Sequence, residues 1–143
     1  MLLLQNASFI PLFRQAMQGR GRVQDVRLDQ LEPQAPAASG GEAVQEIFAD
    51  VGQDRMLAAR KSLAYLQQHP EPTQFIDAAR LLIFLKGTNS HDYKFSSAVL
   101  EDYHQLSPGW RDRFLAASVF QLRGSTLKDN DLVARTRAAL GTA

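Results

Sequence analysis

Cysteine is absent from the 143 residues, so the chain alone builds no disulfide, thiolate nucleophile, zinc-thiolate cluster or iron-sulfur site. A reducing cytoplasm is the default setting for such a composition. Charge of one sign is also lacking: 16 Lys and Arg stand against 15 Asp and Glu, a formal net of +1. That balance gives no long-range field to gather phosphate backbones or an acidic bilayer, so a nucleic-acid partner is not expected. Long apolar runs are missing as well. Gln5, Asn6, Ser8 and Arg14 interrupt the apolar N-terminus far short of the roughly 20 residues that span a bilayer. The same segment lacks the basic start and small-residue cleavage site of a secretory leader and reads as structure, with no membrane association expected. Met1 fits a natural start or a piece of something longer. Strand-like alternation is essentially absent, which removes the sheet folds.

What remains is helical punctuation over a length suited to one core. Phe9, Leu12, Phe13, Ala16 and Met17 recur at helical spacing, with Ser8 as N-cap and Pro11 in the first turn, predicting an amphipathic helix over 8–18 whose stripe must be buried somewhere. Gly19, Gly21, Pro33, Pro36, Gly40 and Gly41 then mark a long arm. Its second half, 33–41, has the composition of a mobile linker, while Val23, Val26, Leu28 and Leu31 let its first half dock as a short element. Helices are predicted over 42–51, 54–68, 73–86, 93–106, 109–123 and 130–140. Asp54, Thr73, Asp92 and Ser107 serve as caps, Pro72 and Pro108 stand near helix starts, and Gly87 and Gly124 stand past helix ends.

The expected fold is therefore all-α, a compact bundle of helical hairpins with about six to seven helices and an N-terminal helical arm. The arm with its linker occupies 1–41 and the bundle domain 42–143. A shift of about 37 residues lays "YLQQHPEPTQFIDAARLLIFLKG" over "DYHQLSPGWRDRFLAASVFQLRG", two segments that each end in apolar residues, a basic residue and glycine. Two copies fall short of a repeat array, but "FIDAARLLIFLK" and "FLAASVFQL" are apolar almost all round and are expected at the centre of the bundle. Asp77 and Arg80 then read as an ion pair on one face of the first.

Chemistry-bearing residues concentrate in "SHDYKFSSAVLEDYH", residues 90–104. Glu101 and His104 stand one turn apart, as carboxylate-bridged metal bundles require, but there is no second Glu-x-x-His. At 100° per residue both fall opposite the stripe of Phe95, Val99, Tyr103 and Leu106, so a metal site is not expected there or elsewhere. Asp102 falls at the stripe's edge and is expected to meet another helix. His91, Asp92, Tyr93 and Lys94 precede the helix, with Asp92 as its cap. With Asp102 they form a candidate ligand or acid/base cluster. Trp110 and Arg111 offer a candidate interface together with Phe9, Leu12, Phe13 and Met17. Alternatively Trp110 closes the bundle while Arg111 or Arg113 pairs with Asp102 or Asp112. His69 reads as a loop residue. "GRGRVQ" lacks the third glycine and preceding strand of a dinucleotide fingerprint, and there is neither a phosphate loop nor a nucleophile elbow. Arg20, Arg22 and Arg27 are offset by Asp25, Asp29 and Glu32.

The resulting expectation is a non-catalytic helical interaction or assembly module in the cytoplasm, without cofactor. It self-associates through the N-terminal arm as a homo-oligomer or binds a protein partner. The alternative is a small-molecule-binding or acid/base enzyme domain built around His91, Asp92 and Asp102.

Overall fold

A computed structural model of the chain describes residues 2–19 and 26–141, without the side chains of residues 2 and 6. The expectations resting on Arg20, Gly21, Arg22, Val23 and Asp25 lie outside the described residues. The described residues form seven α-helices and two 3-10 turns, and no strand. In chain order they are α1 (Leu2–Gln18), a turn at Leu28–Gln30, α2 (Gly40–Asp50), α3 (Arg55–Gln68), α4 (Thr73–Lys86), α5 (Ser90–Asp102), a turn at Tyr103–Gln105, α6 (Pro108–Ser118) and α7 (Asp131–Ala139). This is an all-α helical bundle. Among the described residues no helix is long and apolar enough to cross a membrane.

The core is assembled from apolar stripes at helical spacing. Ala43, Val44, Ile47 and Phe48 of α2 meet Ala59, Leu63, Tyr65 and Leu66 of α3 and Phe75, Ile76 and Ala79 of α4 in one buried cluster. Phe48 and Phe75 lie at a ring-centroid distance of 5.0 Å. Each such fully buried side chain contributes roughly 1.5–3 kcal/mol relative to exposure. The two segments matched in sequence pack crosswise: α3 lies against α6 and α4 against α5. Small residues explain the tight α3–α6 pairing, since Ala58, Ala59, Ser62 and Ala116 are buried without exposure and let the helices approach closely. The buried hydroxyls of Ser62 and Ser118 donate to the carbonyls of Ala58 and Leu115 at 2.8 and 2.6 Å, leaving no orphaned donor.

Several local expectations change for identifiable reasons. α1 begins at Leu2, so Ser8 is interior and its hydroxyl donates to the Gln5 carbonyl at 2.9 Å instead of capping. Pro11 consequently sits mid-helix, where it removes one backbone hydrogen bond. Asp54 does cap α3, accepting from the Met56 and Leu57 N–H groups at 3.0 Å, whereas Pro72, without a side-chain bond, precedes α4 in place of Thr73. The expected mobile linker is tied down. Gln34 N–H donates to the Arg60 carbonyl at 3.1 Å, Arg60 Nε to the Glu32 carbonyl at 3.2 Å, and the Ala37 and Ala38 N–H groups to Glu46 at 3.1 and 2.9 Å. Leu31 beyond the first turn is buried, and Arg113 of α6 holds the carbonyls of Leu28 and Leu31 at 2.8 and 3.0 Å.

Gly124 marks a crossing, not a helix end, since α6 stops at Ser118. A Cβ on Gly124 would lie 2.7 Å from the Gly52 nitrogen, and next to it Ser125 N–H donates to the Phe48 carbonyl at 2.8 Å. The chain thus folds back across the end of α2 where only a missing side chain permits it. The expectation that α4 is central also fails. One face buries Phe75, Ile76, Ala79 and Ile83, but Leu81 and Phe84 are 58% and 69% exposed. α6 is the more enclosed helix, burying Leu115 and Ala116 and passing into buried Val119 and Leu122.

Candidate functional site

Two features compete as the functional surface: a polar node at the C-terminal end of α4, and the unpartnered apolar faces of α1 and α4. The node is built by the two basic residues that end the matched segments. Lys86, buried, donates to the Leu127 carbonyl and lies 2.9 Å from Asp129, which in turn holds Arg137 at 3.0 Å. The Lys86 hydrogen bond keeps the Asp129 carboxyl below the usual carboxylate range, with Arg137 adding to it. Arg123 reaches across to Asp92 at 2.5 Å. Asp92 also accepts from the Thr88 and Asn89 N–H groups at 2.9 and 3.3 Å. Burial alone would raise the Asp92 pKa, but Arg123 and these two N–H groups outweigh it and hold the carboxyl low.

Asn89, not Asp92, is the N-cap of α5. Its side chain accepts from the His91 and Asp92 N–H groups at 2.9 and 3.3 Å, and Asp92 closes the reciprocal capping box from the third helical position. Asn130 completes the node by donating to the carbonyls of Phe84 and Gly87 at 2.8 and 3.0 Å while accepting from Val133 N–H at 3.0 Å, so one amide terminates α4 and caps α7. The charges at this end of the bundle are thus paired, and they satisfy helix termini.

The predicted cluster of His91, Asp92, Tyr93, Lys94 and Asp102 is not brought together. Asp92 is engaged as above, and the half-buried Tyr93 hydroxyl donates to the Gly87 carbonyl at 3.2 Å. His91 and Lys94 are exposed. Asp102 is exposed too, against the expectation that it leans inward. The buried face of α5 is centred on Ser96, Val99 and Leu100, continuing into Tyr103. At 100° per residue Asp102 lies well outside it. Ten residues of helix further separate Asp102 from Asp92, about 15 Å along the axis. Among the described residues no three His, Asp or Glu side chains converge as a metal site would require. Glu101 and His104 are exposed, as their angular positions implied.

Elsewhere, Asp77 and Arg80 form an exposed pair at 3.6 Å. His69 stacks on Tyr65 at 4.0 Å just beyond α3. Burial pushes the Asp112 carboxyl up. Trp110 is half exposed instead of closing the bundle, and among the described residues neither Arg111 nor Arg113 forms a salt bridge with Asp102 or Asp112. Arg111 donates to the carbonyls of Leu106 and His104 at 2.8 and 3.2 Å and lies over the Tyr103 ring at 5.9 Å, while Arg113 anchors the turn described above. Sequence reasoning missed Arg123 and Asn130. The Leu-basic-Gly ending common to both segments was the signal for Arg123.

The apolar surfaces are of a different kind. Phe9, Leu12 and Phe13 of α1 are exposed along with Leu3, Leu4 and Ile10, between 49% and 85%, and Met17 is half-buried. The Phe9 and Phe13 rings stack on one another at 5.5 Å. α1 makes no extensive contact with the other described elements. Between α4 and α5 runs a groove of about 270 Å³, floored by Ile83, Tyr93 and Leu100 and edged by Phe84, Arg80 and Glu101. Set against protein-family models, curated proteins and solved structures, the chain matches none.

Proposed function

We propose that the chain is a non-catalytic helical interaction module that self-associates through α1, with a homodimer in the cytoplasm as its setting. The observation that supports this reading is α1 itself: a helix of 17 residues carrying six exposed large apolar side chains. An isolated helix of about that length is marginal in water, and an interior proline costs it about 3 kcal/mol more. α1 therefore needs an apolar surface beyond its own side chains in order to persist. Four of the six, Leu3, Phe9, Ile10 and Phe13, share one face and present on the order of 400–500 Å² of apolar area there, within the range of the largest patch on a monomer.

The competing function, ligand binding or acid/base chemistry around His91, Asp92 and Asp102, loses support because Asp92 is committed to Arg123 and a helix cap while Asp102 sits about 15 Å away along α5. Light scattering over a range of concentrations tests the proposal. The full chain is expected to dimerise, and a chain lacking residues 1–18 to be monomeric with its thermal transition retained. A full chain that stays monomeric at every concentration sinks the idea.

A further inference from the structure

We propose that the surface receiving α1 is the α4–α5 groove of a second copy, so that two chains exchange their N-terminal helices reciprocally; this rests on the self-association proposed above and names its receptor. At 100° per residue, Leu3, Phe9, Ile10, Phe13 and Met17 share one face of α1. Arg14, the one charged residue between Leu2 and Gln18, lies at the edge of that face beside Ile10. The groove has the complementary pattern. Its floor is apolar, Phe84 extends that floor outward at 69% exposure, and Glu101 stands on its rim. Glu101 accepts a hydrogen bond from the Ser97 hydroxyl at 3.2 Å, and among the described residues neither Glu101 pairs with a cation nor Arg14 with an anion. The other rim charge, Arg80, already leans on Asp77 at 3.6 Å. A lone cation on the apolar helix thus matches a lone anion on the apolar groove.

Length and area agree. At 1.5 Å per residue α1 is about 26 Å long and the α5 wall of the groove, from Tyr93 to Glu101, about 12 Å, so the helix spans the groove with length to spare. Reciprocal exchange places two helices in two grooves and removes on the order of 2,000 Å² from water, the size of a stable dimer interface, whereas pairing α1 with α1 removes about half of that. The mode is an amphipathic helix laid in a groove between two helices, with Phe9 and Phe13 as anchors.

The absence of cysteine makes crosslinking decisive. Arg14→Cys and Glu101→Cys chains, mixed and treated with a short bismaleimide, are expected to give a heterodimer that neither chain gives alone. In unlabelled protein, Arg14→Glu and Glu101→Arg are each expected to weaken dimerisation about fivefold or more, and the two combined to restore it to within about threefold. Phe84→Asp is expected to abolish the dimer while leaving the thermal transition in place, because its side chain is mostly exposed already. A dimer that requires residues 1–18 but withstands Phe84→Asp, or Arg14→Cys chains that crosslink only to one another, overturns the groove while leaving self-association through α1 standing. Crosslinking confined within a monomeric Arg14→Cys/Glu101→Cys chain, or a monomer that instead sediments with anionic lipid vesicles, overturns both.

Discussion

Replacing Asp92 by alanine is the perturbation that best separates a structural node from a reactive one. The substitution removes half of the capping box, worth about 1 kcal/mol, and leaves Arg123, whose Nε is already buried without a partner, with only the Thr88 hydroxyl at 3.3 Å. Breaking a fully buried pair costs roughly 3–5 kcal/mol. The Asp92 and Arg123 side chains are 12% and 25% exposed, and residual hydration reduces that share to about 1–2 kcal/mol. The expected total is about 2–3 kcal/mol, or a fall in Tm of about 6–10 °C for a chain of this size. Asp92→Asn, which keeps one acceptor, is expected to lose about half as much.

Urea unfolding followed by circular dichroism at neutral pH measures these differences, and Arg123→Met with the double variant completes a thermodynamic cycle. A coupling of about 1–2 kcal/mol is expected. A loss under about 0.5 kcal/mol on Asp92→Ala, or losses that simply add, refutes the pairing as a stabilising element. The pH dependence carries the same sign. Asp92 titrates lower in the fold than its ordinary 3.8, so its contribution is present above that value and disappears as pH falls through the folded one.

Two further perturbations probe the strap and the crossing. Glu46 bonds Lys61 at 2.6 Å and two linker N–H groups, which together bring its pKa from 4.5 down to about 2. Glu46→Gln is therefore expected to cost about 1–2 kcal/mol near neutrality, after discounting for solvent screening, and to converge with the parent chain in urea melts as pH falls below the ordinary carboxylate value. Equal differences at every pH would contradict it. Gly124→Ala drives a Cβ into the Gly52 backbone and is expected to destabilise by roughly 1–3 kcal/mol, whereas Gly109→Ala, with nothing within 4 Å, is expected to be neutral or slightly stabilising in the same melts.

Legibility tracked how local the governing interaction is. Helix existence, the Asp54 cap, the Pro108 start and the stop at Gly87 depend on a handful of neighbouring residues and could be read directly. The capping box around Asn89 was misassigned to Asp92 because both residue types cap well and stand three positions apart. Asp102 was turned inward because it falls beside Val99 and Phe95 on the apolar stripe, but Phe95 is only half-buried; Ser96 and Leu100 join Val99 in the buried face, and that rotation away from Asp102 is set by where α4 and α6 stand. The linker composition at 33–41 suggested mobility, yet Glu46 and Arg60 tie it down from helices whose position the segment itself does not specify.

By itself, then, the sequence determined an all-helical chain without thiol chemistry, an amphipathic α1 and the grammar of its turns, since composition and periodicity act through contacts within a turn or two. Tertiary structure alone decided that Lys86 and Arg123 reach acids 43 and 31 residues away in the chain. It also decided that Gly124 yields to Gly52 and that α4 and α1 keep apolar faces uncovered. Those outcomes follow from the crosswise packing of α3 on α6 and α4 on α5, which exhausts the core before every apolar side chain has found a place in it.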